Sequence, residues 1–300
     1  MRVIVLLNAG AGKAADPPPA AVEGAFRAVG VDADVRPTSG PQLPAAARDA
    51  VGAAAGGAFA AVVAAGGDGT VSGVAAAVAG TGVPLGVLPV GTLNHFAKDL
   101  GLPLDLAGAA AIIAGGLTDG RARAVDAGEV NGRTFINNAG IGLYPRIVSR
   151  RDRQRQRLGR GKWLAMAVAA AAVVRRYPLV DVILNTPAVA VRRRTPFVFV
   201  GNNPYQIEGL NLGVRPRLDT GQLCAYFANR PSRFGLLLLA VRALLGRLNQ
   251  SRDFDTLAAA ELSIEARRKR LRVALDGEVT RLSPPLRFRS RPGALRVLAP

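Results

Sequence analysis

The sequence predicts two domains of different class: a doubly wound α/β domain over residues 1–120 and an antiparallel β-rich, sandwich-like domain over residues 121–300, with the last residues free to return to the first. Three observations carry this. Up to about residue 120, apolar strand-like runs alternate with Ala-rich helical segments, the pattern of a parallel sheet covered on both faces. Beyond Arg121 short strand-like runs dominate. The charge changes at the same place: residues 1–120 hold six Lys/Arg against nine Asp/Glu, and residues 121–300 hold 33 against 12. Compositional bias toward arginine would act on both halves, so the asymmetry belongs to the second domain.

The first strand-like run, Arg2 to Leu7, leads into Asn8, Gly10, Gly12 and Lys13. This is not a Walker phosphate loop, because Leu7 stands where Gly is needed and Ala14 where Ser or Thr is needed. Nor is it a dinucleotide fingerprint, since Pro17, Pro18 and Pro19 prevent a helix from running on from the glycines. A flexible loop with a helix starting near Pro19 fits better. A second strand, Val31 to Arg36, follows.

The third run, Phe59 to Ala65, stops at Gly66, Gly67, Asp68, Gly69 and Thr70, and a helical stretch follows from Val71 to Ala79. Glycines let the backbone approach a ligand closely, and a helix N-terminus favours phosphate. A carboxylate in such a place repels phosphate unless a cation such as Mg²⁺ lies between, so Asp68 points to a metal-bridged nucleotide. Gly-Asp-Gly is also a common tight-turn composition. A second strand-turn-helix unit runs from Val83 to Leu88 through Pro89, Gly91, Thr92 and Asn94 to a helical pattern over His95 to Leu100. Thr92 and Asn94 suit a helix start as side-chain caps. Two such turns at the carboxyl ends of parallel strands line one crevice, the usual ligand site of this fold class, which makes the first domain nucleotide-binding.

In the second domain strands are expected at Ala124 to Val130, Arg133 to Asn137, Val180 to Leu184, Val189 to Arg193, Phe197 to Gly201, Leu223 to Phe227, Glu261 to Ala266 and Leu271 to Leu275. Helices are expected near 161–176 and 234–248. The domain boundary falls near Gly115 to Arg123.

Asn8-Ala-Gly, the pentad Gly66 to Thr70, the stretch Pro89-Val-Gly-Thr-Leu-Asn-His-Phe-Ala97 and Leu275-Asp-Gly-Glu278 occur in that order. On these motifs the chain resembles the lipid kinase family of diacylglycerol kinases and sphingosine kinases, in its compact bacterial branch, along essentially its whole length. The pentad is shared with NAD kinases; the second stretch and the late Asp-Gly-Glu are more specific to the lipid branch. The resemblance implies ATP-dependent phosphorylation of a lipid hydroxyl in a cleft between two domains. It places ATP on the first loop (Asn8, Gly10, Gly12, Lys13), on Gly66, Gly67, Asp68, Gly69 and Thr70, and on Thr92; Thr38, Gly91 and Asn94 complete the candidate set. Asp68 is the metal residue, for Mg²⁺. Glu278 is the implied general base and Asp276 its support, and the two, two residues apart, would share one face of a strand. Asp-Gly is equally a strong hairpin signal. The chain departs from the family at Ala9, where Pro is usual, and at His95, where Asp is common.

The family resemblance also implies a structural Mg²⁺ held by an Asp directly before a Gly. Here Thr220 precedes Gly221 and the carboxylate has moved to Asp219, so that site is expected to be empty or replaced. Mg²⁺ would then be needed only alongside ATP.

The remaining features bound the setting. The strongest apolar stretches, Trp163 to Val174 and Phe234 to Ala240, are short of the ~20 residues a spanning helix needs. The N-terminus enters a strand directly and shows no signal peptide. The lone Cys224 allows no internal disulfide, consistent with a reducing cytoplasm. Lone His95 is read as a surface or capping residue. Eight basic residues face one acid between Arg146 and Lys162, followed directly by Trp163, Leu164 and Met166. Basic segments with few interleaved aromatics and no recognisable module argue against nucleic acid. They favour a peripheral contact with an anionic membrane on its inner, cytoplasmic face. A solvated basic face and a core helix remain open, as does a homodimer. A kinase for a soluble acceptor such as NAD, and a non-catalytic lipid- or nucleotide-binding protein, are the alternatives; intact Asp68 and Glu278 weigh against the latter.

Overall fold

The computed structural model describes residues 1–8, 17–143, 145, 179–209, 211–228, 232, 235, 238, 242, 248–249 and 253–300. The basic run Arg146 to Lys162 and the helix expected near 161–176 lie outside the described residues, as does most of 234–248. Contacts divide the chain into two compact units: Met1–Ala127 with Leu218–Thr220 and Arg291–Pro300, and Gly128–Arg217 with Gly221–Ser290.

The first unit is the doubly wound α/β domain. Its elements are β1 (Arg2–Asn8), α1 (Pro19–Ala28), β2 (Asp32–Thr38), α2 (Leu43–Ala55), β3 (Ala61–Ala65), α3 (Asp68–Val78), β4 (Pro84–Leu88), α4 (His95–Asp99), α5 (Leu106–Thr118) and the start of β5 (Arg123–Val130). The strands run parallel in the order β2-β1-β3-β4, and Arg296 and Val297 add a further parallel pairing against Pro84 and Leu85. Val3 to Leu7 and Ala61 to Ala65 are buried at every position, as strands covered on both faces must be. Val3, Val5, Leu7, Ala61, Val63 and Ala65 turn one face toward Val22 and Phe26 of α1 and Ala109, Ile113 and Ala114 of α5. Helices α2 and α3 pack on each other and on β1, β3 and β4. Gly73 makes their contact close, since a Cβ there would lie 2.7 Å from Leu43 Cδ2. The polar β2, which includes Pro37, takes the edge, where a missing N–H is tolerated.

The second unit is an antiparallel sandwich. After β5 come β6 (Arg133–Phe135), β7 (Asn138–Gly142), β8 (Val180–Asn185), β9 (Ala190–Thr195), β10 (Phe197–Asn202), β11 (Gln206–Gly209), β12 (Asn211–Val214), β13 (Leu223–Ala228), β14 (Leu248–Asn249), β15 (Phe254–Ala259), β16 (Glu261–Ala266), β17 (Leu271–Leu275), β18 (Glu278–Leu282) and β19 (Leu286–Val297). One sheet has the order β15-β13-β10-β7-β17-β18, and β16 joins β8 and β19 in another. The core between the sheets takes alternate residues: Val180, Val182 and Leu184; Val198 and Val200; Leu223, Ala225 and Phe227; Leu271 and Val273; Leu286 and Phe288. That period of two is what a face-to-face sandwich requires. The Asn-Ala-Gly-Ile-Gly of β7 did not read as a strand. It lies between β10 and β17, with Ala139 and Ile141 in the core. At Gly142 (φ 84°) a Cβ would press on the Pro196 carbonyl.

Candidate active site

Parallel strands all end on one edge of their sheet, and the register gathers the candidate residues of the first unit there. Leu7 pairs with Ala65 and Ala65 with Leu88, so the pentad after β3 and the turn after β4 emerge side by side. Asn8 pairs with Thr38 at the same edge. Thr38 is buried and donates its hydroxyl to the Arg36 carbonyl at 3.1 Å. Gly10, Gly12 and Lys13 lie outside the described residues.

The two turns touch. The Gly66 N–H donates to the Leu88 carbonyl at 3.1 Å. A Cβ on Gly91 would press on Gly67 Cα and lie 3.0 Å from Gly67 N, and a Cβ on Gly66 would run into the Thr70 side chain. Neither glycine has a positive φ; the demand is for space between backbones. Asp68 then ties the turns together, its Oδ1 accepting from the His95 N–H at 2.8 Å.

Two expectations change here. The helix begins at Asp68 and not at Val71, because the Gly67 carbonyl accepts from Thr70 and Val71, at 2.9 and 3.1 Å. Asn94 occupies the N-cap position of α4 but makes no side-chain cap. Its φ of 51° turns the amide back into its own loop, where Nδ2 donates to the Pro89 and Gly91 carbonyls at 2.9 and 3.0 Å. Asp68 supplies the cap in its place. Thr92 is exposed in the same turn.

This geometry has a defined chemical capacity. Helix geometry leaves the Asp68 and Gly69 N–H groups without intrahelical acceptors, and they point at the ligand edge. Asp68 is half-buried and uses one carboxylate oxygen on His95, so the other is available to a cation. Asn94 Oδ1 is buried without a partner among the described residues. Donors, a carboxylate oxygen and close backbones together suit a polyphosphate with its metal. No group of three or more His, Cys, Asp or Glu suited to hold a metal occurs among the described residues.

In the second unit Asp276 and Gly277 form the hairpin between β17 and β18, with φ of 47° and 91°. The expectation that Asp276 and Glu278 share a strand face therefore fails, since two left-handed residues break the alternation. Asp276 turns inward: Oδ2 accepts from the Ile136 N–H at 2.8 Å, and Oδ1 from Asn137 and Asn138 at 2.8 and 2.9 Å. Glu278 begins β18, is exposed, and makes no side-chain hydrogen bond or ion pair among the described residues.

Sequence reasoning passed over the two most deeply buried charges among the described residues. Arg215, 1% exposed, donates to the Ile136 carbonyl at 2.6 Å, to Asn202 O at 3.2 Å and to Asn137 Oδ1 at 2.6 Å. Residues 136–138 are thus held by a carboxylate through their N–H groups, and a guanidinium holds the Ile136 carbonyl and the Asn137 side-chain oxygen. Nothing in Val-Arg-Pro announces this. Asp126, 1% exposed, accepts from the Gly293 N–H at 2.9 Å; an acid amid the apolar run Ala124 to Val130 was its available signal. The Asp126 N–H in turn donates to the Leu218 carbonyl at 2.8 Å, beside exposed Asp219 and half-buried Thr220.

Comparison with known proteins agrees with this architecture. Residues 2–130 match the diacylglycerol kinase catalytic domain, and residues 140–299 match the YegS C-terminal NAD kinase beta sandwich-like domain. A probable lipid kinase, YegS-like, from Pseudomonas aeruginosa is 32% identical over 250 residues, covering 81% of this chain and 77% of that protein. A diacylglycerol kinase from Mycobacterium tuberculosis is 30% identical over 247 residues, covering 80% and 77%. An uncharacterized Synechocystis protein is 43% identical over 93 residues, but the chain spans only 21% of it. The fold matches a solved diacylglycerol kinase structure from Bacillus anthracis with a TM-score of 0.65 at 20% identity, over 100% of this chain and 97% of that one.

Proposed function

The chain belongs to the bacterial lipid-kinase family that joins a diacylglycerol kinase catalytic domain to a YegS-like C-terminal domain, and we propose that it transfers the γ-phosphate of ATP to a lipid hydroxyl, diacylglycerol-like or sphingoid. The observation that carries the reading is the contact of the Gly67 and Gly91 backbones, with Asp68 opening a helix at the same edge. Asn8, Gly10, Gly12, Lys13 and Thr38 complete the nucleotide set with Gly66, Gly69, Thr70, Thr92 and Asn94. Bound Mg²⁺ would neutralise phosphate charge, and Asp68 is the residue to hold it. Backbone N–H groups orient the phosphates, because phosphoryl transfer asks mainly for position and charge neutralisation.

Glu278 takes the proton of the attacking hydroxyl. Its exposed carboxylate, committed to no partner among the described residues, is suited to that. Asp276 is not a second acid-base group in this reading; its three N–H contacts make it the anchor of the hairpin that presents Glu278.

A lipid acceptor brings the chain to a membrane as a peripheral protein, on the cytoplasmic face in our reading. No helix among the described residues is long and apolar enough to cross a bilayer. The name of the mycobacterial relative favours diacylglycerol as acceptor. The NAD kinase-like sandwich description favours NAD as the second candidate. Purified protein, labelled ATP, Mg²⁺ and a cellular lipid extract decide between them. Label moving into a chloroform-soluble product supports the proposal, and label appearing only in a soluble product such as NADP overturns it.

A further inference from the structure

Antiparallel register sets Arg272 of β17 directly opposite Arg281 of β18. Opposed side chains on one face have Cβ atoms only about 5 Å apart, and like charges so placed repel. The repulsion is compounded by the preceding turn, in which Arg267, Arg268, Lys269 and Arg270 are consecutive and all exposed. None of these six cations makes a side-chain hydrogen bond or ion pair among the described residues. Elsewhere exposed Arg2, Arg36, Arg121 and Arg289 each have a carboxylate within 3.2 Å. The hairpin thus concentrates uncompensated positive charge where folding alone would favour a mixed pair.

We propose that the Arg272–Arg281 face of the β17–β18 hairpin, with the Arg267–Arg270 turn, is a docking surface for the anionic headgroups of a phospholipid membrane. Alternation defines the face. Leu271 and Val273 go to the core, so Arg272 points the other way, and Val279 stands beside Arg281 on that outer side. Val279 is 38% exposed, an apolar contact set among cations, as interfacial binding uses. Nucleic acid is the less suited polyanion because no aromatic side chain lies on these strands or in the turn for bases to stack on. Glu278 pairs with Leu275 and alternates away from Arg281, so docking and proton abstraction fall on different faces of one hairpin. The choice of membrane rests on the lipid-kinase reading; the charge geometry does not.

The test is sedimentation of the nucleotide-free full chain with phosphatidylcholine vesicles, with and without phosphatidylglycerol. Each Arg near the surface accounts for roughly a five-fold change in partitioning. R272Q/R281Q should therefore bind phosphatidylglycerol vesicles about thirty-fold more weakly. R36Q/R121Q removes the same charge from ion-paired positions and should change binding far less. Activity of R272Q/R281Q on detergent-dispersed diacylglycerol should equal that of the unaltered chain. Equal losses in the two double variants, no loss in R272Q/R281Q, or equal binding to neutral vesicles would overturn the proposal. So would loss of duplex DNA binding with vesicle binding intact, or a detergent activity that falls as far as vesicle binding does. If the unaltered chain phosphorylates no lipid, the functional reading fails while the vesicle result stands on its own.

Discussion

Replacing Asp276 removes one acceptor group from three donors at once. Its carboxylate takes the N–H groups of Ile136, Asn137 and Asn138 at 2.8, 2.8 and 2.9 Å. Hydrogen bonds to a charged group are the stronger kind, and a donor stripped of its acceptor costs about 1–3 kcal/mol, least where water can enter. Asp276 is half-buried, so the low end applies, about 3 kcal/mol for three donors. Its φ of 47° adds about 1 kcal/mol when Ala must adopt it. Asp276→Ala should therefore lose about 4 kcal/mol, and at a urea slope near 2 kcal/mol/M the midpoint falls by about 2 M. Asp276→Asn tolerates the left-handed backbone and keeps one acceptor oxygen, so it should lose less than half as much. Urea unfolding followed by circular dichroism gives the midpoints, and hydrogen exchange at residues 136–138 localises the effect. Equal midpoints for Asp276→Ala and the unaltered chain, with unchanged exchange, would refute the idea that this carboxylate anchors the hairpin.

Other perturbations separate chemistry from scaffold. Asp68→Asn should keep the fold but lose metal-dependent turnover, because an amide is a neutral and weaker ligand; near-normal rates at saturating Mg²⁺ would leave Asp68 only its cap on α4. Glu278→Gln should lower turnover by about 10² or more with ATP affinity and stability nearly unchanged, since its exposed side chain makes no hydrogen bond or ion pair among the described residues; parallel loss of nucleotide binding in titration calorimetry would indicate a structural role. Gly91→Ala should push the two turns apart, costing about 1–3 kcal/mol and weakening ATP binding, while Gly115→Ala, with open space around its Cβ, should be neutral or stabilising. Burial pushes the Cys224 thiol up, so stability should fall as pH rises above the ordinary thiol value near 8.5, by at most about 1.4 kcal/mol per pH unit. A thiol reagent that modifies Cys224 rapidly in the native protein would contradict that burial.

What could be read from the chain divides along a physical line. Composition-specific, local features were legible: the stop from Ala65 into Gly66 and Gly67, the apolar runs of β1 and β3, and the short strand-like runs of β8 and β10. Each is decided by residues within a few positions of one another. Features made by partners distant in sequence were not. His95 N–H finds Asp68 across 27 residues, so in the sequence the two turns read as separate units, with Thr92 and Asn94 as the caps of the second helix where Asp68 does that work. Asp276 illustrates the same limit from the other side. Two left-handed residues convert an apparent strand, with two carboxylates on one face, into a hairpin whose first carboxylate binds the N–H groups of residues 136–138 and whose second is exposed at the start of β18. Arg215 is the extreme case: its partners lie 13 to 79 residues away, and only the folded sandwich explains a guanidinium 1% exposed. A buried cation resting on the oxygens of the segment whose N–H groups hold Asp276 lets each charge stabilise the other through the peptide dipoles between them. That coupling implies that Arg215→Met and Asp276→Asn should be non-additive in a double-mutant cycle, whereas either should add simply to Asp68→Asn in the other unit.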